Sequence, residues 1–226
     1  MNKKIKIYIC HYPLLTDRKK YLDSVIPSLE IPFEFCSKFD RENIKEYDHL
    51  FSDNREILFK RGWSNNDLPN MSPSIKATTL EHAKIYEKIL NENYEYSLIL
   101  EDDAILIDDF KNKILKTIND LAKDWDVVHF SNGCGGRPHL KCTDDTNLVK
   151  MECRRSWTAS GYLINQNTAQ KYLDNIYPIV LPIDFELNYI QKELQMNVYW
   201  AANPLVFEGS NPSAGANHKY GSSQIR

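Results

Sequence analysis

The chain has 226 residues, of which 42% are hydrophobic and 26% are charged. These values are typical of a globular domain large enough to bury a real core, and they exclude a disordered, collagen-like or coiled-coil chain. The net charge of −3 disfavours nucleic-acid binding, which needs a basic surface, so we expect no nucleic-acid partner.

The cysteine count and the apolar runs bear on location. No stretch of the sequence contains the roughly 20 consecutive apolar residues that a membrane-spanning helix needs. Residues 1–4 lead straight into an alternating pattern over residues 5–9, which lacks the apolar core of a secretory leader. The five cysteines form an odd set, which favours reduced thiols over a disulfide framework. We therefore expect a cytoplasmic protein with no transmembrane segment.

The first part of the chain predicts a strand, a helix and a second strand, followed by a polar stretch and a long helix. The first strand is short and β-branched, which is typical of a buried strand. Thr16 is the predicted N-cap of the first helix, and Pro27 ends it. The long helix is predicted by apolar residues that recur at helical spacing. In chain order these spans are 5–10, 16–26, 33–36, 40–70 and 73–91.

Further strands and helices alternate through the rest of the chain. The strand over 96–100 is continuously apolar, which indicates a central strand buried on both faces. The other predicted strands cover 127–130, 148–153, 161–164 and 198–200, and the predicted helices cover 110–121, 168–176 and 182–194. This order predicts a three-layer α/β fold with a mostly parallel central sheet.

Three consecutive acids, Glu101, Asp102 and Asp103, come directly after the apolar strand. Open α/β sheets bind ligands at the carboxyl ends of their strands, and adjacent like charges there need a compensating cation. Carboxylate oxygens suit Mn²⁺ or Mg²⁺ that holds substrate phosphates. Because the first and third side chains of an extended triplet point the same way, Glu101 and Asp103 are predicted to share one metal ion. A solvated turn is the alternative explanation of the triplet.

The whole chain resembles glycosyltransferase family 25, which includes bacterial lipooligosaccharide galactosyltransferases and collagen galactosyltransferases. The resemblance rests on the order and spacing of several short motifs, since each motif is weak when taken alone. These motifs are Thr16-Asp17-Arg18, Leu80-Glu81-His82, the segment 98–103, Asp126-Val127-Val128, Ser160-Gly161-Tyr162-Leu163, Pro182-Ile183-Asp184, Pro204-Leu205-Val206, Gly209-Ser210 and Ser222-Ser223-Gln224-Ile225.

The resemblance implies a GT-A fold, a UDP-sugar donor, Mn²⁺ or Mg²⁺ at the acidic triplet, and transfer of a hexose with inversion. Galactose or glucose is the expected sugar, and a saccharide or a protein hydroxyl is the expected acceptor. Without internal repeats or a linker, residues 1–226 form a single domain. Within it we expect a nucleotide-binding half over 1–100, a metal and acceptor half over 101–214, and a flexible tail over 215–226.

An inverting transferase needs one base that takes the proton from the acceptor hydroxyl. Asp184, in the family-like Pro182-Ile183-Asp184, is our first candidate, with Glu186 as its rival and Glu81 as a weaker one. Helix capping and first-turn charge would explain Asp184 and Glu186 without catalysis. Typical family members carry Ser at the position of Glu81 and Gln at that of Glu208. These departures bear on the acceptor more than on the metal.

The resemblance also implies donor-binding roles near both ends of the chain. The segment after the first strand is where a GT-A fold holds the nucleotide, and basic residues of the tail are expected to contact the diphosphate. His218 is expected to complete the metal shell. The residues assigned to the donor are Asp17, Arg18, Asp102, Lys219 and Arg226. Helix capping and solvated surface positions are the alternatives for these residues.

Two other functions fit the same acidic residues. A hydrolase or a nucleotidyltransferase would use Glu101 and Asp103 as acids or as metal ligands. An inactive GT-A-like scaffold would bind a glycan or a partner protein without catalysis. Binding of a nucleotide sugar that requires Mn²⁺ separates a transferase from a scaffold, and release of the sugar onto water alone indicates a hydrolase.

Overall fold

The computed structural model describes residues 4–131, 148–151, 159–211 and 219–220. The strands within these ranges are short and rich in Ile, Val and aromatic residues, which fit a pleated and buried surface. In chain order they are β1 (Ile5–Cys10), β2 (Phe33–Cys36), β3 (Tyr96–Glu101), β4 (Ala104–Leu106), β5 (Val127–His129), β6 (Leu148–Lys150), β7 (Gly161–Ile164), β8 (Val198–Ala201) and β9 (Val206–Glu208).

Several helices are preceded by a residue whose side chain accepts hydrogen bonds from N–H groups of the first turn. Asn54, Ser72 and Asn165 cap their helices in this way. Thr16 was the predicted cap of the first helix, but it is the first helical residue, and Leu15 precedes it without a capping bond. In chain order the helices are α1 (Thr16–Val25), α2 (Arg55–Lys60), α3 (Pro73–Asn91), α4 (Phe110–Asp120), α5 (Gln166–Ile176) and α6 (Ile183–Glu193), with 3₁₀ helices at Pro27–Leu29 and Ile44–Leu50.

The central sheet has seven described strands in the order β2-β1-β3-β7-β5-β8-β6. β1 is parallel to both β2 and β3, and β5 is parallel to β8. β7 lies antiparallel between β3 and β5, and β6 is antiparallel to β8. Five of these seven strands therefore run in one direction. This arrangement confirms the α/β class and the mostly parallel sheet.

Helices cover both faces of the sheet and give the three expected layers. Successive side chains of β3 point to opposite faces. Ile99 belongs to the core that includes Tyr86 of α3 and Tyr172 of α5. Leu98 belongs to the second core, which includes Ile114 of α4. Complete burial of an apolar side chain such as that of Ile99 or Leu98 contributes roughly 1.5–3 kcal/mol to the free energy of unfolding. The α/β/α layers around this sheet are GT-A-like.

The carboxyl ends of β1, β2 and β3 lie side by side. Cys10, the last residue of β1, is in register with Cys36 of β2 and with Glu101 of β3. Cys10 and Cys36 are both buried free thiols, as the cysteine count predicted for these two. Within the described ranges, no helix combines the length and the apolar character that crossing a membrane requires.

A two-stranded sheet of β4 and β9 brings the segment after β9 against Asp103. Ala104 pairs with Glu208 in this sheet. The backbone N–H of Gly209 then donates to the backbone oxygen of Asp103 at 2.8 Å. A Cβ atom at Gly209 would lie 2.9 Å from that oxygen. The close approach therefore requires glycine and places Glu208 and Ser210 beside the acidic triplet.

Candidate active site

A cavity of about 310 Å³ lies at the carboxyl edge of β1 and β3. Its walls come from the segments after β1, β2, β3 and β9, the first turns of α1 and α6, and the N-terminal half of α3. Open α/β sheets bind ligands at edges of this kind. The structure thus brings together seven of the residues singled out in the sequence. They are Arg18, Glu81, Glu101, Asp102, Asp103, Asp184 and Glu208.

Four carboxyl groups surround one part of the cavity: Glu101, Asp103, Asp184 and Glu208. Burial, followed by the charges of Asp103 and its acidic neighbours, raises the pKa of Glu101 well above its usual range. Burial also raises the pKa of Asp103 to about 6, although a hydrogen bond from Ser210 and the Arg18 charge act to lower it. The charges of neighbouring acids add to the effect of burial on the pKa of Glu101 and Asp103, and a cation among these carboxyl groups would offset that repulsion.

Asp102 points away from this cluster and joins β3 to the end of β1 and to α1. One carboxyl oxygen accepts from Arg18 Nη1 at 2.6 Å. The other lies 3.0 Å from His11 Nδ1 and accepts from the Tyr12 backbone N–H at 3.0 Å. Both oxygens are therefore engaged by the protein, and Asp102 holds Arg18, His11 and the start of the loop after β1 in place.

Several buried polar atoms in the walls of the cavity have no hydrogen-bond partner among the described residues. They are His11 Nε2, Arg18 Nη2, Glu81 Oε1 and Asp103 Oδ1. A buried polar group without a partner costs about 1–3 kcal/mol, so native structures contain few of them. The presence of four such atoms around a single cavity indicates a site that a polar ligand completes.

Glu101 and Asp103 were predicted to hold a metal ion. In the described part of the chain, no three His, Cys, Asp or Glu side chains are grouped closely enough to hold one. His218, predicted to complete the shell, lies outside the described residues. The available ligand atoms nevertheless suit a hard divalent cation, because they are carboxylate oxygens and because Asp103 Oδ1 is buried without a hydrogen-bond partner among the described residues.

His82 on α3 lies behind Glu101. Its Nδ1 atom is 2.7 Å from the hydroxyl of Tyr162, which is in turn 2.7 Å from the hydroxyl of Tyr86. Its Nε2 atom is 3.5 Å from a carboxyl oxygen of Glu101. Burial lowers the pKa of His82 to about 3, so the ring is neutral. His82 is a buried histidine with a partner, and it packs behind Glu101 without adding a charge.

Asp184 lies in the first turn of α6 and lines the cavity near Glu208. Burial raises its pKa to about 6, and backbone N–H groups of the first turn act against that shift. At neutral pH Asp184 is therefore mostly ionised, but it is more basic than an ordinary aspartate. This combination suits a group that accepts a proton.

Glu186 lies outside the cavity wall. Its side chain is completely buried and one oxygen accepts from the backbone N–H groups of Val180 and Leu181 at 2.8 and 2.9 Å. The other oxygen accepts a hydrogen bond from Arg61 of the segment after α2. The structure thus places Glu186, the rival base, in an ion pair that fastens α2 to α6.

We expect Glu186→Gln to lower stability far more than it lowers activity. The substitution leaves the buried Arg61 without its counter-charge, and breaking one side of a buried pair costs about 3 kcal/mol or more. Urea denaturation measures the loss, and Glu193→Gln at an exposed position of α6 is the matched control, with a change within about 0.5 kcal/mol. Loss of turnover at unchanged stability would contradict this role.

Two of the residues assigned to the donor, Asp17 and Lys219, do not line the cavity. The side chain of Asp17 is 87% exposed and contacts Lys20. The ammonium of Lys219 lies 3.7 Å from the ring centroid of Tyr21, and Lys219 is absent from the wall of the cavity. Arg226 lies outside the described residues. Of the donor-binding set, the structure therefore brings Arg18 and Asp102 to the site.

Sequence reasoning missed several residues of the wall. His11 follows directly after β1, and its position at the carboxyl edge of the sheet was a usable signal. The Arg41 guanidinium lies 4.5 Å from the ring centroid of Tyr12, and both residues line the cavity. No local pattern marks this pair, because the two residues meet only when the loops after β1 and β2 come together.

The similar proteins reported below are described as glycosyltransferases or galactosyltransferases. The chain is 29% identical over 145 residues to a glycosyltransferase 25 family member of Aedes aegypti. The aligned region covers 56% of this chain and 23% of that protein. It is 25% identical over 114 residues to procollagen galactosyltransferase 2 of Mus musculus, covering 46% of this chain and 17% of the relative. It is 32% identical over 117 residues to procollagen galactosyltransferase 1-B of Xenopus laevis, covering 46% and 18%.

These matches span about a fifth of the length of the relatives. The sequence pattern of the family described as "Glycosyltransferase family 25 (LPS biosynthesis protein)" matches residues 4–187. This match includes the acidic triplet, α3 and Asp184, three of the parts that build the cavity. The chain belongs to glycosyltransferase family 25.

Proposed function

We propose that the protein transfers a hexose from a UDP-sugar to a hydroxyl acceptor, with a divalent metal ion and with inversion at the sugar. Family membership supports a glycosyltransferase. The observation that supports the donor is the group of unpartnered polar atoms around one cavity, beside four crowded carboxyl groups. A diphosphate with its metal ion supplies both the anionic oxygens and the positive charge that these groups lack.

At the donor end, Glu101 and Asp103 would hold Mn²⁺ or Mg²⁺. The bound metal supplies positive charge to the diphosphate, the leaving group of the reaction. Arg18 contributes a second positive charge from α1, close enough to Asp103 to act on its pKa. Asp102 fixes Nη1 of Arg18, and Nη2 remains free to donate to a phosphate oxygen. The planar guanidinium is suited to this contact because it donates in a fixed direction.

At the acceptor end, Asp184 takes the proton from the attacking hydroxyl. Inversion requires the hydroxyl to approach from the face opposite the departing diphosphate, so the base must be a group other than the metal ligands. Asp184 reaches the cavity from α6, whereas the triplet reaches it from β3. Its raised pKa keeps it basic enough to accept a proton near neutral pH.

The relatives suggest the sugar and the acceptor. Two of them are named procollagen galactosyltransferases, so UDP-galactose is the first donor to test and UDP-glucose the second. A glycan or a protein hydroxyl is the acceptor class that we propose. The chain covers less than a quarter of each relative, and these substrates are carried over from the family as part of the proposal.

A thermal-shift panel of UDP-galactose, UDP-glucose, GDP-mannose and UDP, each with and without Mn²⁺, tests the proposal. Binding to the native state stabilises it by about 2.7 kcal/mol at a hundredfold excess over Kd. We expect a UDP-sugar to raise the melting temperature, and we expect this rise to require Mn²⁺. No stabilisation by any of these ligands would favour a binding scaffold, and release of the sugar onto water alone, assayed with a donor that binds, would favour a hydrolase. Either result would contradict the transferase.

A further inference from the structure

Glu81 of α3 is a carboxyl group in the wall of the cavity, and the proposed reaction leaves its role open. It is 3% exposed. One oxygen accepts a hydrogen bond from the backbone N–H of Phe39 at 2.9 Å, in the segment that follows β2. The other oxygen, Oε1, is buried and has no hydrogen-bond partner in the described part of the chain.

Glu81 anchors the segment after β2, because backbone N–H groups of Phe39 and Lys38 both donate to its carboxyl group. One oxygen with two lone pairs can accept both bonds, and an amide would supply it without burying a charge. Burial raises the pKa of Glu81 above its usual value, so the group is held in surroundings that disfavour its ionised form. Oε1 itself has no hydrogen-bond partner in the described part of the chain, and a buried acceptor of this kind calls for a hydrogen-bond donor that a ligand can supply.

The place of Glu81 along the cavity indicates which part of the ligand it meets. The cavity follows the carboxyl ends of β3 and β1 toward β2. Arg18 and Asp103 mark its phosphate-binding part, near β3. Glu81 and its partner Phe39 belong to the β2 side, and the stacked side chains of Tyr12 and Arg41 also line the cavity there. With the diphosphate at β3, the nucleoside half of the donor points toward β2.

We propose that Glu81 is a specificity-determining residue, whose Oε1 accepts a hydrogen bond from a neutral donor group of the bound nucleoside. This inference rests on the proposed function, because it takes the nucleotide sugar as the ligand. Two donor groups share the required chemistry, the imide N–H of a uracil base and a hydroxyl of the ribose. A site built to accept such a hydrogen bond rejects analogues that lack the donor.

Glu81→Gln separates this role from a structural one. The Phe39 N–H still needs an acceptor, so the amide oxygen takes that bond and the amide NH₂ group occupies the place of Oε1. This NH₂ group is a hydrogen-bond donor, so it faces the hydrogen-bond donor of the nucleoside and the two cannot form a hydrogen bond. We expect UDP affinity at saturating Mn²⁺, measured by calorimetry, to fall at least about tenfold, with an unchanged melting temperature. Glu87→Gln, on the same helix and away from the cavity, is the control and should bind UDP normally.

Analogues of UDP identify the donor group. N3-methyl-UDP lacks the imide N–H, and 2′-deoxy-UDP and 3′-deoxy-UDP each lack one ribose hydroxyl. The analogue that has lost the true partner of Glu81 should bind the wild type and Glu81→Gln with equal affinity, whereas the others should keep the tenfold difference. Equal binding of UDP by both proteins would overturn the proposal. The same difference for every analogue would overturn it as well, since it would indicate a purely structural effect.

The two proposals fail in different ways in this experiment. If the wild type binds no uridine nucleotide in the presence of Mn²⁺, the proposed donor is wrong and the role of Glu81 is wrong with it. If the wild type binds UDP and Glu81→Gln binds it equally, only the role of Glu81 is wrong. If Asp103→Asn binds UDP normally while Glu81→Gln does not, the metal site is wrong and the role of Glu81 stands.

Discussion

Asp103→Asn is expected to abolish Mn²⁺-dependent binding of UDP in a protein that remains fully folded. The substitution keeps the size of the side chain and its contact with Ser210, but it removes one of the two charges proposed to hold the metal. Residues that merely orient metal ligands contribute about 10–100-fold to metal affinity. We therefore expect the loss of a ligand charge to lower Mn²⁺ affinity by at least about 100-fold, measured by electron paramagnetic resonance of free Mn²⁺.

The stability of the same variant distinguishes a binding role from a structural one. The charge of Asp103 is one of the causes that raise the pKa of Glu101. Removing that charge relieves repulsion, so the metal-free variant should melt at the wild-type temperature or above it. Asp102→Asn is the matched control, because it leaves Arg18 and His11 without a full partner and should lower stability. Normal Mn²⁺ affinity in Asp103→Asn would contradict the proposed metal site.

Asp184→Asn should reduce turnover by about 10²–10⁴-fold while the affinities for donor and Mn²⁺ stay near those of the wild type. A positioned general base contributes about this much to the rate. Asparagine keeps the shape of the side chain and loses only its basicity. Turnover with UDP-galactose under saturating conditions, beside calorimetric donor affinity, provides the measurement. Glu186→Gln is the control two residues further along α6 and should retain its turnover while folded.

The pH profile gives a second readout for Asp184. A base acts in its unprotonated form, and the pKa of Asp184 is raised to about 6 by burial. Turnover at saturating Mn²⁺ and donor should therefore rise with pH through about 6 and level off above it. Asp184→Asn should lose this rise together with the rate. Near-normal turnover in Asp184→Asn, or an unchanged pH profile at the lower rate, would show that the base is another group.

Local patterns in the sequence predicted much of the fold. The β-branched run of β1 and the apolar run of β3 identified two central strands, and the periodicity of α3 identified its full length. The antiparallel insertion of β7 between β3 and β5 and the small sheet of β4 and β9 were not predicted. Strand order depends on contacts between distant segments, and a short apolar run does not reveal its neighbour.

The candidate site was predictable where chemistry and position coincide. Acids at the end of a buried strand indicated Glu101 and Asp103, and both line the cavity. Spacing alone did not separate Asp184 from Glu186, although two residues along a helix differ by about 200° in direction. One of them therefore faces the cavity and the other the buried Arg61. The free oxygen of Glu81 was beyond prediction, because it depends on where the loop after β2 packs.

The cavity is assembled from segments that are far apart in the chain, and this has a consequence for how the protein is made. Ile5 at the start of β1 is in register with Tyr96 of β3, so the first strand emerges from the ribosome long before its central partner. Asp184 and Ser210 follow later still. The cavity therefore cannot close until these late segments have been made, and the proposed site forms only in the finished domain.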